Sequence, residues 1–485
     1  MKSDNNFRNL NVSKKAKIFF SNFSYAIISN IVSLIASTLA VLLVPKLIGI
    51  EAYGYWQLYI FYTTYVGFMH LGWNDGIYLR YGGEQYEKLN KPLFFSQFYM
   101  LAVTQIVIAL IISFFSIFIF QLEDKVYILQ MTSACLVIVN LSNMLIFILQ
   151  STNRIKEYAL VTIIGKVTYL VLLVVLLLMI GVTDFKLLIM ADLIAKTILL
   201  SCVIYLCRDF IFLNISSFYF NFKETFENIS VGIKLMLANI ASLLVVGVVR
   251  FGIERSWDVS SFGKVSLTLS LSNFILVFIN TLGIVLFPIL RRADVGKLPL
   301  IYMSMRDLLM ILLLAILIFY YPLQVILSMW LPEYSDSLKY MAFLLPICIY
   351  EGKVSLLINT YLKTLREEKS MLNINIISLI LSSIFTFFTT IVMKSLDLAV
   401  LSIIIVLIIR CIFAEVILSK KLGISVYKDI SLEFILTSMF IITAWYLNSW
   451  WVMILYGATY IIYLVIKSKD LKYTFINFRI LLKTE

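Results

Sequence analysis

Long runs of hydrophobic residues, separated by short polar connections, recur along the whole chain. Each run holds about 20 residues or more, enough for an α-helix to cross the ~30 Å hydrocarbon core of a bilayer. Connections placed at charges, glycines and prolines leave about fourteen spans of this length. They fall near 19–44, 54–72, 94–120, 126–150, 159–181, 185–207, 232–252, 262–290, 300–323, 338–361, 371–393, 397–418, 428–447 and 450–466. The pattern predicts an all-α integral membrane protein.

The first twelve spans divide into two groups of six that resemble each other in sequence. At one constant offset, 30–35 (NIVSLI) aligns with 239–244 (NIASLL), and Lys46 aligns with Arg255. Repeats that each contain six spans share one topology and are related by an axis along the membrane normal. The spacing therefore predicts two pseudo-symmetric six-helix lobes, formed by spans 1–6 and 7–12, followed by two C-terminal helices.

These lobes define the expected domain boundaries. The segment between the lobes alternates phenylalanines with polar residues, which is typical of a segment that lies in the membrane interface. We expect an N-lobe over 1–207, a cytoplasmic interfacial linker over 208–231, a C-lobe over 232–418, and the last two spans with a basic cytoplasmic tail over 419–485.

Basic residues are unevenly distributed between the connections. Of the 40 lysines and arginines, about 27 fall in the even-numbered connections and the tails, and about 8 in the odd-numbered connections. Cytoplasmic segments carry the excess of Lys and Arg. We therefore expect a multi-pass protein of the cytoplasmic (inner) membrane with both termini in the cytoplasm.

Composition agrees with this assignment and excludes a soluble fold. Hydrophobic residues make up 61% of the 485, mean hydropathy is +0.96, and only 14% of residues are charged, against roughly 25% in soluble domains. The net charge of +12 is spread over short connections, which fits anionic lipid headgroups and argues against a nucleic-acid partner. The five cysteines lie in apolar runs and are interpreted as small buried hydrophobes.

Signatures of catalysis and of cofactor binding are absent from the sequence. It has no phosphate-binding glycine loop, and its single histidine, His70, argues against a zinc site. The outer connections, such as 121–125 and 181–186, are too short to hold donor and acceptor sugars. We expect no catalytic residue, metal or cofactor, and a protein that is not an enzyme.

Charged and polar residues inside the predicted spans are the candidates for function. A charge at the bilayer centre costs roughly 3 kcal/mol on insertion scales, so such residues usually face a cavity or a partner. Cations outnumber carboxylates among them, which favours an anionic ligand such as a pyrophosphate. The candidate substrate-binding residues are Arg250, Lys353, Lys234, Arg410, Lys166, Asn239, Ser242 and Asn273.

Polar residues at helical spacing support a solvated cavity. Asn239, Ser242 and Arg250 share one face of the seventh span, and Ser29 and Ser33 share one face of the first. Two other interpretations stay open, namely interhelical hydrogen bonds that serve packing and extension of Arg250 to the membrane interface.

Four of the charges have simpler explanations. Asp192 and Lys196 are four residues apart on one helical face, so they can neutralise each other. Glu415 and Lys234 lie near cytoplasmic span ends, from which a long side chain reaches the lipid headgroups.

Further charges lie at the cytoplasmic ends of two matching spans. Arg80 ends the second span beside Asp75, and Arg291 occupies the matching place after the eighth. We expect these residues to belong to a cytoplasmic gate or to anchor the helices at the headgroups.

The first hundred residues resemble a known family. The segments VPKLIG at 44–49 and YGYW at 53–56, and the stretch from Leu71-Gly72 through Gly76-Ile77 to Arg80, are similar to the opening of bacterial O-antigen and capsule repeat-unit flippases. These flippases form the polysaccharide-transporter branch of the multidrug/oligosaccharidyl-lipid/polysaccharide exporter superfamily. The number of spans, the two lobes and the short outer connections resemble this branch over the whole chain.

The resemblance implies a flippase that moves an undecaprenyl-pyrophosphate-linked oligosaccharide across the cytoplasmic membrane by alternating access. Helices one, two, seven and eight would border the cavity. The family has no ATPase, so an H⁺ or Na⁺ gradient or the membrane potential would drive transport. The partners it implies are the lipid-linked oligosaccharide, membrane lipids, a coupling ion, and a polymerase and chain-length regulator of the same pathway.

Other functions remain as alternatives. Drug and cation antiporters of the superfamily rely on carboxylates in the first or seventh span, and peptidoglycan-precursor flippases have arginines in the first. This chain has no charge between Lys17 and Lys46, and none between Lys234 and Arg250. A membrane glycan polymerase or glycosyltransferase is a third alternative, against which the short outer connections argue. A scaffold without transport activity would leave the intramembrane cations unexplained.

Overall fold

The structure, a computed structural model, describes the backbone of residues 2–292, 295–447 and 449–483. Side chains are described for 24–25, 27–274, 276, 279, 296–367, 369–447 and 449–470. Over the described backbone the chain is helical and contains no β-strand, which confirms the all-α prediction.

The chain forms two compact units, Met1–Ile240 and Ala241–Glu485. The helices that begin in the first unit are α1 (Lys2–Ile48), α2 (Ile50–Val66), α3 (Trp73–Arg80), α4 (Lys91–Ile119), α5 (Glu123–Ser151), α6 (Ile155–Val174), α7 (Phe185–Leu206), α8 (Arg208–Ile211) and α9 (Phe222–Ser256). The boundary between the units lies within α9, and the sequence-based domain limits stay a prediction.

The second unit continues from the C-terminal part of α9. Its helices are α10 (Val259–Arg292), α11 (Leu298–Ile316), α12 (Tyr320–Trp330), α13 (Ser335–Leu338), α14 (Met341–Leu344), α15 (Ile347–Lys353), α16 (Asn359–Thr364), α17 (Glu368–Thr386), α18 (Leu396–Leu422), α19 (Tyr427–Leu447) and α20 (Trp451–Lys483). Single π-helical segments over Val175–Ile180, Val354–Ile358 and Phe387–Val392 extend α6, join α15 to α16, and extend α17.

Twelve helical segments in the described part of the chain are long and apolar enough to cross a membrane. They confirm a multi-pass membrane fold, because a helix satisfies all its backbone hydrogen bonds internally and is therefore stable in lipid. The second and eighth predicted spans correspond to α2, which has 17 residues, and to α10. The total of fourteen spans stays a prediction.

Helix starts follow local capping chemistry. The side chain of Asn90 accepts a hydrogen bond from Leu93 N at the start of α4, and Asp184 accepts one from Lys186 N at the start of α7. Asn221 does the same for Glu224 N, at 3.0 Å, at the start of α9. Helix α9 therefore begins at Phe222, inside the segment that the sequence analysis assigned to the linker.

Within the first unit, α1 packs on α6, α4 on α5, and α7 on both α5 and α6. Helix α2 packs against α5 and α7, so it lies among the helices that carry buried polar groups. Near the predicted cytoplasmic end, the ring of Phe210 lies 4.7 Å from that of Tyr86 and 5.6 Å from that of Phe94, and all three form part of the core.

Within the second unit, α15 and its neighbours are at the centre. In the segment Met341–Thr364, 89% of the residues of the most apolar stretch are buried, as expected for a helix that is apolar all round. Helices α10, α11 and α18 pack against α15, and α20 packs on α11 and α19. The C-terminal helix pair is therefore part of this unit.

Glycines bring α3 and the first part of α9 into backbone contact. A Cβ atom at Gly76 would overlap the carbonyl of Asn228, and one at Gly232 would overlap the carbonyl of Gly72. Gly72 itself has φ 86°, a conformation in which a side chain is strained. These glycines allow the two helices to cross with no side chain between them.

Candidate functional site

A polar cluster lies in the middle of the spans of the first unit. Asp192 on α7 is buried, and its Oδ2 accepts hydrogen bonds from Lys196 Nζ at 2.5 Å and from the Tyr59 hydroxyl of α2 at 2.7 Å. Lys196 Nζ also lies 3.4 Å from the Cys135 sulfur on α5. The neutralisation of Asp192 by Lys196, predicted from their spacing, is confirmed.

Lys166 adds a second cation to this cluster. It lies near the middle of α6, which packs on α7, and it is within electrostatic range of both Asp192 and Lys196. Its side chain is exposed at the surface of the protein within a predicted span. The three groups together carry one surplus positive charge, and we call them, with Tyr59, the Lys166 cluster.

The other candidates in the first unit lie on α9. Lys234 and Asn239 are both exposed, and neither belongs to the Lys166 cluster. Their predicted roles in substrate binding stay predictions.

In the second unit, Arg410 is buried and both of its terminal nitrogens donate to polar partners. Its Nη1 donates to Glu351 at 2.9 Å, and its Nη2 donates to Ser242 at 2.8 Å and to Asn375 at 2.9 Å. Arg410 therefore fixes three helices of this unit, because its partners lie on α9, α15 and α17.

Arg250, on α9, has its partners on the next helix, α10. Its Nη2 donates to the Ser266 hydroxyl on α10 at 2.9 Å, and its guanidinium lies 5.2 Å from the centre of the Phe262 ring. Asn273, further along α10, is exposed. The polar face predicted on the seventh span is therefore divided, since Ser242 contacts Arg410 while Arg250 contacts α10.

Lys353 lies in a buried cluster of ion pairs. Its Nζ is 2.5 Å from both Glu415 and Glu433, and Arg306 approaches the same two carboxylates at 2.5 and 2.7 Å. Lys467 extends the cluster by pairing with Asp307 and Asp429, each at 2.8 Å. These seven side chains, on α11, α15, α18, α19 and α20, are all nearly inaccessible to solvent.

One interpretation from the sequence is wrong. Glu415 does not extend to the lipid headgroups, because it is fully buried and pairs with Arg306 and Lys353. The neighbouring α19 and α20 cover this part of α18, and their charges could be recognised as its partners only after folding.

Four members of the ion-pair cluster lie inside spans that the sequence analysis had delimited, but were not recognised as candidates. Arg306 and Asp307 are adjacent in α11, and Asp429 and Glu433 are four residues apart in α19. Lys467 follows directly after the last predicted span. These charges could have been recognised as candidates, because a charge within an apolar helix is energetically costly. Their spacing along the sequence, however, does not indicate which of the five helices pack together.

The structure changes the expected distribution of positive charge. In the second unit the described intramembrane cations Lys353 and Arg410 are paired with carboxylates. A surplus cation lies in the Lys166 cluster, where two lysines accompany one aspartate, and Arg250 of the second unit contacts Ser266 and Phe262.

The charges at the predicted gate form a separate network. Arg80 donates to Glu224 at 2.6 Å, to Glu227 at 2.7 Å and to Asn228 at 2.6 Å. Together with the glycine contact, this network connects α3 to the start of α9.

Asp75 lies 3.7 Å from His70, and burial raises the pKa of its carboxyl to about 6. The side chain of Arg291 lies outside the described residues.

Comparison with solved structures relates this architecture to known proteins. An inward-facing multidrug resistance MATE family transporter of the MOP superfamily is 14% identical, covers 80% of this chain and 95% of its own length, and has a TM-score of 0.61. The lipid II flippase MurJ, in an inward closed conformation, is 15% identical, with 93% and 99% covered and a TM-score of 0.66. An outward-facing MATE transporter is 13% identical, with 83% and 95% covered and a TM-score of 0.53.

No protein-family model and no curated protein matches the chain. At identities of 13–15%, the similarity to solved structures establishes the architecture alone. This chain therefore has the all-α membrane fold that multidrug transporters of the MOP superfamily share with the lipid II flippase MurJ.

Proposed function

We propose that this protein is a flippase of the same superfamily that moves a lipid-linked oligosaccharide with an anionic pyrophosphate across the cytoplasmic membrane. The observation that carries the proposal is the Lys166 cluster. It places a surplus cation, on an exposed side chain, in the middle of apolar helices. Burial of such a charge in lipid is energetically unfavourable. Pairing with an anion that passes through the protein would offset this unfavourable free energy.

The chemistry of the cluster suits phosphate oxygens. An ammonium group forms charge-assisted hydrogen bonds with phosphate as a compact point charge. The apolar tail of a lipid-linked substrate needs no binding site within the polar cluster, because it can remain in the bilayer. Only the headgroup then has to pass the charged residues.

The structural comparison supports a lipid substrate without defining it. The lipid II flippase covers 93% of this chain, and the multidrug transporter in its inward-facing state covers 80%. Multidrug transport is the second candidate function because those proteins share the fold. A cationic drug requires an available carboxylate, whereas Asp192 is already bound by Lys196 and Tyr59.

The network around Arg80 suits a gate in an alternating-access cycle. Its hydrogen bonds connect it to Glu224 and Glu227, which are charged and partly exposed, and to the buried Asn228, at the predicted cytoplasmic ends of α3 and α9. Pairs of this kind exchange for water at modest cost, so the contact can open and close during transport.

Deletion of the gene tests the proposed function. The deletion strain is expected to lose a surface glycan while its lipid-linked repeat unit accumulates on the cytoplasmic side, and the wild-type gene is expected to restore the glycan. Export of single, unpolymerised repeat units would instead identify a polymerase. An unchanged glycan with increased sensitivity to cationic drugs would identify an antiporter.

A further inference from the structure

The most deeply buried helical segment of the second unit has one open face, and that face is polar. We propose that this face, which consists of Glu351, Ser355 and Asn359, binds the sugar residues of the lipid-linked oligosaccharide. The inference rests on the proposed function and adds to it a surface in the second unit that recognises the substrate by its sugars. We call these three residues the Glu351 face.

The pattern of burial along α14, α15 and α16 defines this face. From Met341 to Leu362 every residue is buried except Glu351, Ser355 and Asn359, which are partly exposed. Intervals of four residues place the three side chains on one face of the helix. A face open to lipid would be apolar, whereas polar groups within a span usually face a cavity or a partner. The open face is therefore suited to a polar ligand.

The backbone departs from regular α-helix at the same place. The segment Val354–Ile358 is π-helical and contains Ser355, the central residue of the Glu351 face. Single π-helical turns are rare and occur frequently at functional sites. The same stretch of helix directs Lys353 into the buried ion-pair cluster, so only the Glu351 face is left open.

Arg410 fixes Glu351 in position without covering it. The Glu351 side chain retains 25% exposure, whereas that of Arg410 retains 1%. Glu351 Oε2 accepts from Arg410 Nη1 at 2.9 Å, and Nη2 of the same arginine donates to Ser242 and Asn375. The carboxylate is therefore preorganised and neutralised by a buried partner. Its exposed part can still accept hydrogen bonds from a ligand.

The chemistry of the Glu351 face suits a neutral ligand that is rich in hydroxyl groups. A carboxylate accepts hydrogen bonds, and an amide or a hydroxyl both donates and accepts, which matches the groups that a sugar presents. The amide of Asn359 has no protein partner in the described part of the chain. Eight residues of helix extend about 12 Å, which is long enough for more than one sugar ring.

Two other ligand classes fit this face less well. The carboxylate of Glu351 would repel a pyrophosphate, because like charges placed together are unfavourable. A cationic drug would have to compete with Arg410, which already pairs with that carboxylate. We therefore assign the pyrophosphate to the Lys166 cluster and the sugars to the Glu351 face.

Binding of two lipids to the purified protein in nanodiscs tests this inference. One is undecaprenyl pyrophosphate, which carries no sugar, and the other is the lipid-linked repeat unit extracted from the deletion strain. Asn359→Ala is expected to weaken binding of the repeat unit about two- to tenfold, the value of one neutral hydrogen bond. Binding of undecaprenyl pyrophosphate should not change. Asn359→Leu, which places an apolar side chain on the face, should weaken binding of the repeat unit further.

The choice of variants separates binding from folding. Asn359 is replaced rather than Glu351, because loss of Glu351 would leave Arg410 buried without its counter-ion. Ser383→Ala is the control, since it removes an exposed hydroxyl of α17 that bonds to Leu379 O of its own helix. It should bind both lipids as wild type does. Melting curves of each variant establish that it is folded.

The outcomes distinguish this inference from the proposed function. If both variants of Asn359 bind the repeat unit as wild type does, or weaken binding of the two lipids equally, the inference is overturned. Equal affinity of the wild type for the two lipids would also overturn it, because the sugars would then contribute nothing. In each of these cases, weaker binding of both lipids by Lys166→Gln would still support the proposed function. If the wild type binds neither lipid, the proposed function fails as well.

Discussion

Lys166 is the residue on which the proposed function depends most directly. It is exposed within a helix bundle, at mid-span, beside an aspartate that Lys196 already neutralises. Removal of an intramembrane cation does not harm insertion, because it removes a desolvation cost. A change at this position therefore reports on function rather than on folding.

Replacement of Lys166 by glutamine should reduce transport while the protein remains folded. The loss of one charge-assisted contact to phosphate is expected to lower affinity about ten- to a hundredfold. Lys166→Arg keeps the charge and should retain part of the activity. Complementation of a deletion strain, at equal expression, measures the effect.

Lys186→Gln is the matched control for this substitution. Lys186 is a half-exposed lysine at the start of α7 that pairs with Asp124 at 2.8 Å, away from the cluster. It should complement fully. Equal complementation by Lys166→Gln and Lys186→Gln would remove Lys166 from the binding site.

Asp75 should make stability depend on pH. Burial raises its pKa to about 6, above the ordinary value of 3.8, so the folded state binds a proton more strongly than the unfolded state. The contribution of this carboxyl to the free energy of unfolding is fully present below about pH 4, and it is lost as the pH rises through 6. The melting temperature of wild type relative to Asp75→Asn should therefore decrease over this interval and stay constant above it. A difference that is constant with pH would contradict the assignment.

At the residue scale, local spacing could predict some contacts but not others. The pair of Asp192 and Lys196 follows from an interval of four on one helix. The cluster around Lys353 could not be predicted in this way, because its partners come from five helices. Ion pairs between distant helices depend on packing angles that single-helix periodicity does not contain.

At the element scale, the crossing of α3 and α9 is the contact most sensitive to side-chain size. Gly76 and Gly232 meet the opposite backbone directly, with no space for a Cβ atom. The crossing also sets the distance over which Arg80 reaches Glu224 and Glu227. Separation of the helices would therefore break the proposed gate.

Substitution of Gly232 by alanine should lower both thermal stability and transport. The added methyl group must displace backbone, which cannot yield as a flexible side chain can. The matched control is Gly457→Ala in α20, where a Cβ atom meets nothing within 4 Å. That control should be neutral or more stable by about 0.5–1 kcal/mol, because alanine favours the helix over glycine. Equal melting temperatures for the two variants would refute the close crossing.

The elements themselves were predicted well where hydrophobicity alone defines them. The predicted spans 126–150 and 185–207 coincide with α5 and α7 to within a few residues. The start of α9 was missed because its cap, the side chain of Asn221 that accepts from Glu224 N, lies in a stretch dominated by phenylalanine. In such a stretch, a single polar capping residue is difficult to recognise from the sequence.

At the scale of the whole molecule, hydropathy and the distribution of positive charge predict the fold class, but they do not identify the transported substrate. Sequence similarity to the solved transporters is only 13–15%, whereas their architecture covers most of the chain. Packing of apolar helices tolerates wide substitution, so the fold persists after sequence similarity is lost. In the proposed function, the cargo depends on a few polar groups such as Lys166.

Reconstitution of the purified protein tests the central claim most directly. Proteoliposomes are prepared with a fluorescent lipid-pyrophosphate-linked oligosaccharide, and an impermeant quencher reports which leaflet contains it. The account predicts that wild-type protein moves the lipid between leaflets, that Lys166→Gln moves it about ten- to a hundredfold more slowly at limiting substrate, and that Lys186→Gln behaves as wild type. Translocation no faster than in protein-free liposomes, by a protein that melts cooperatively, would contradict it.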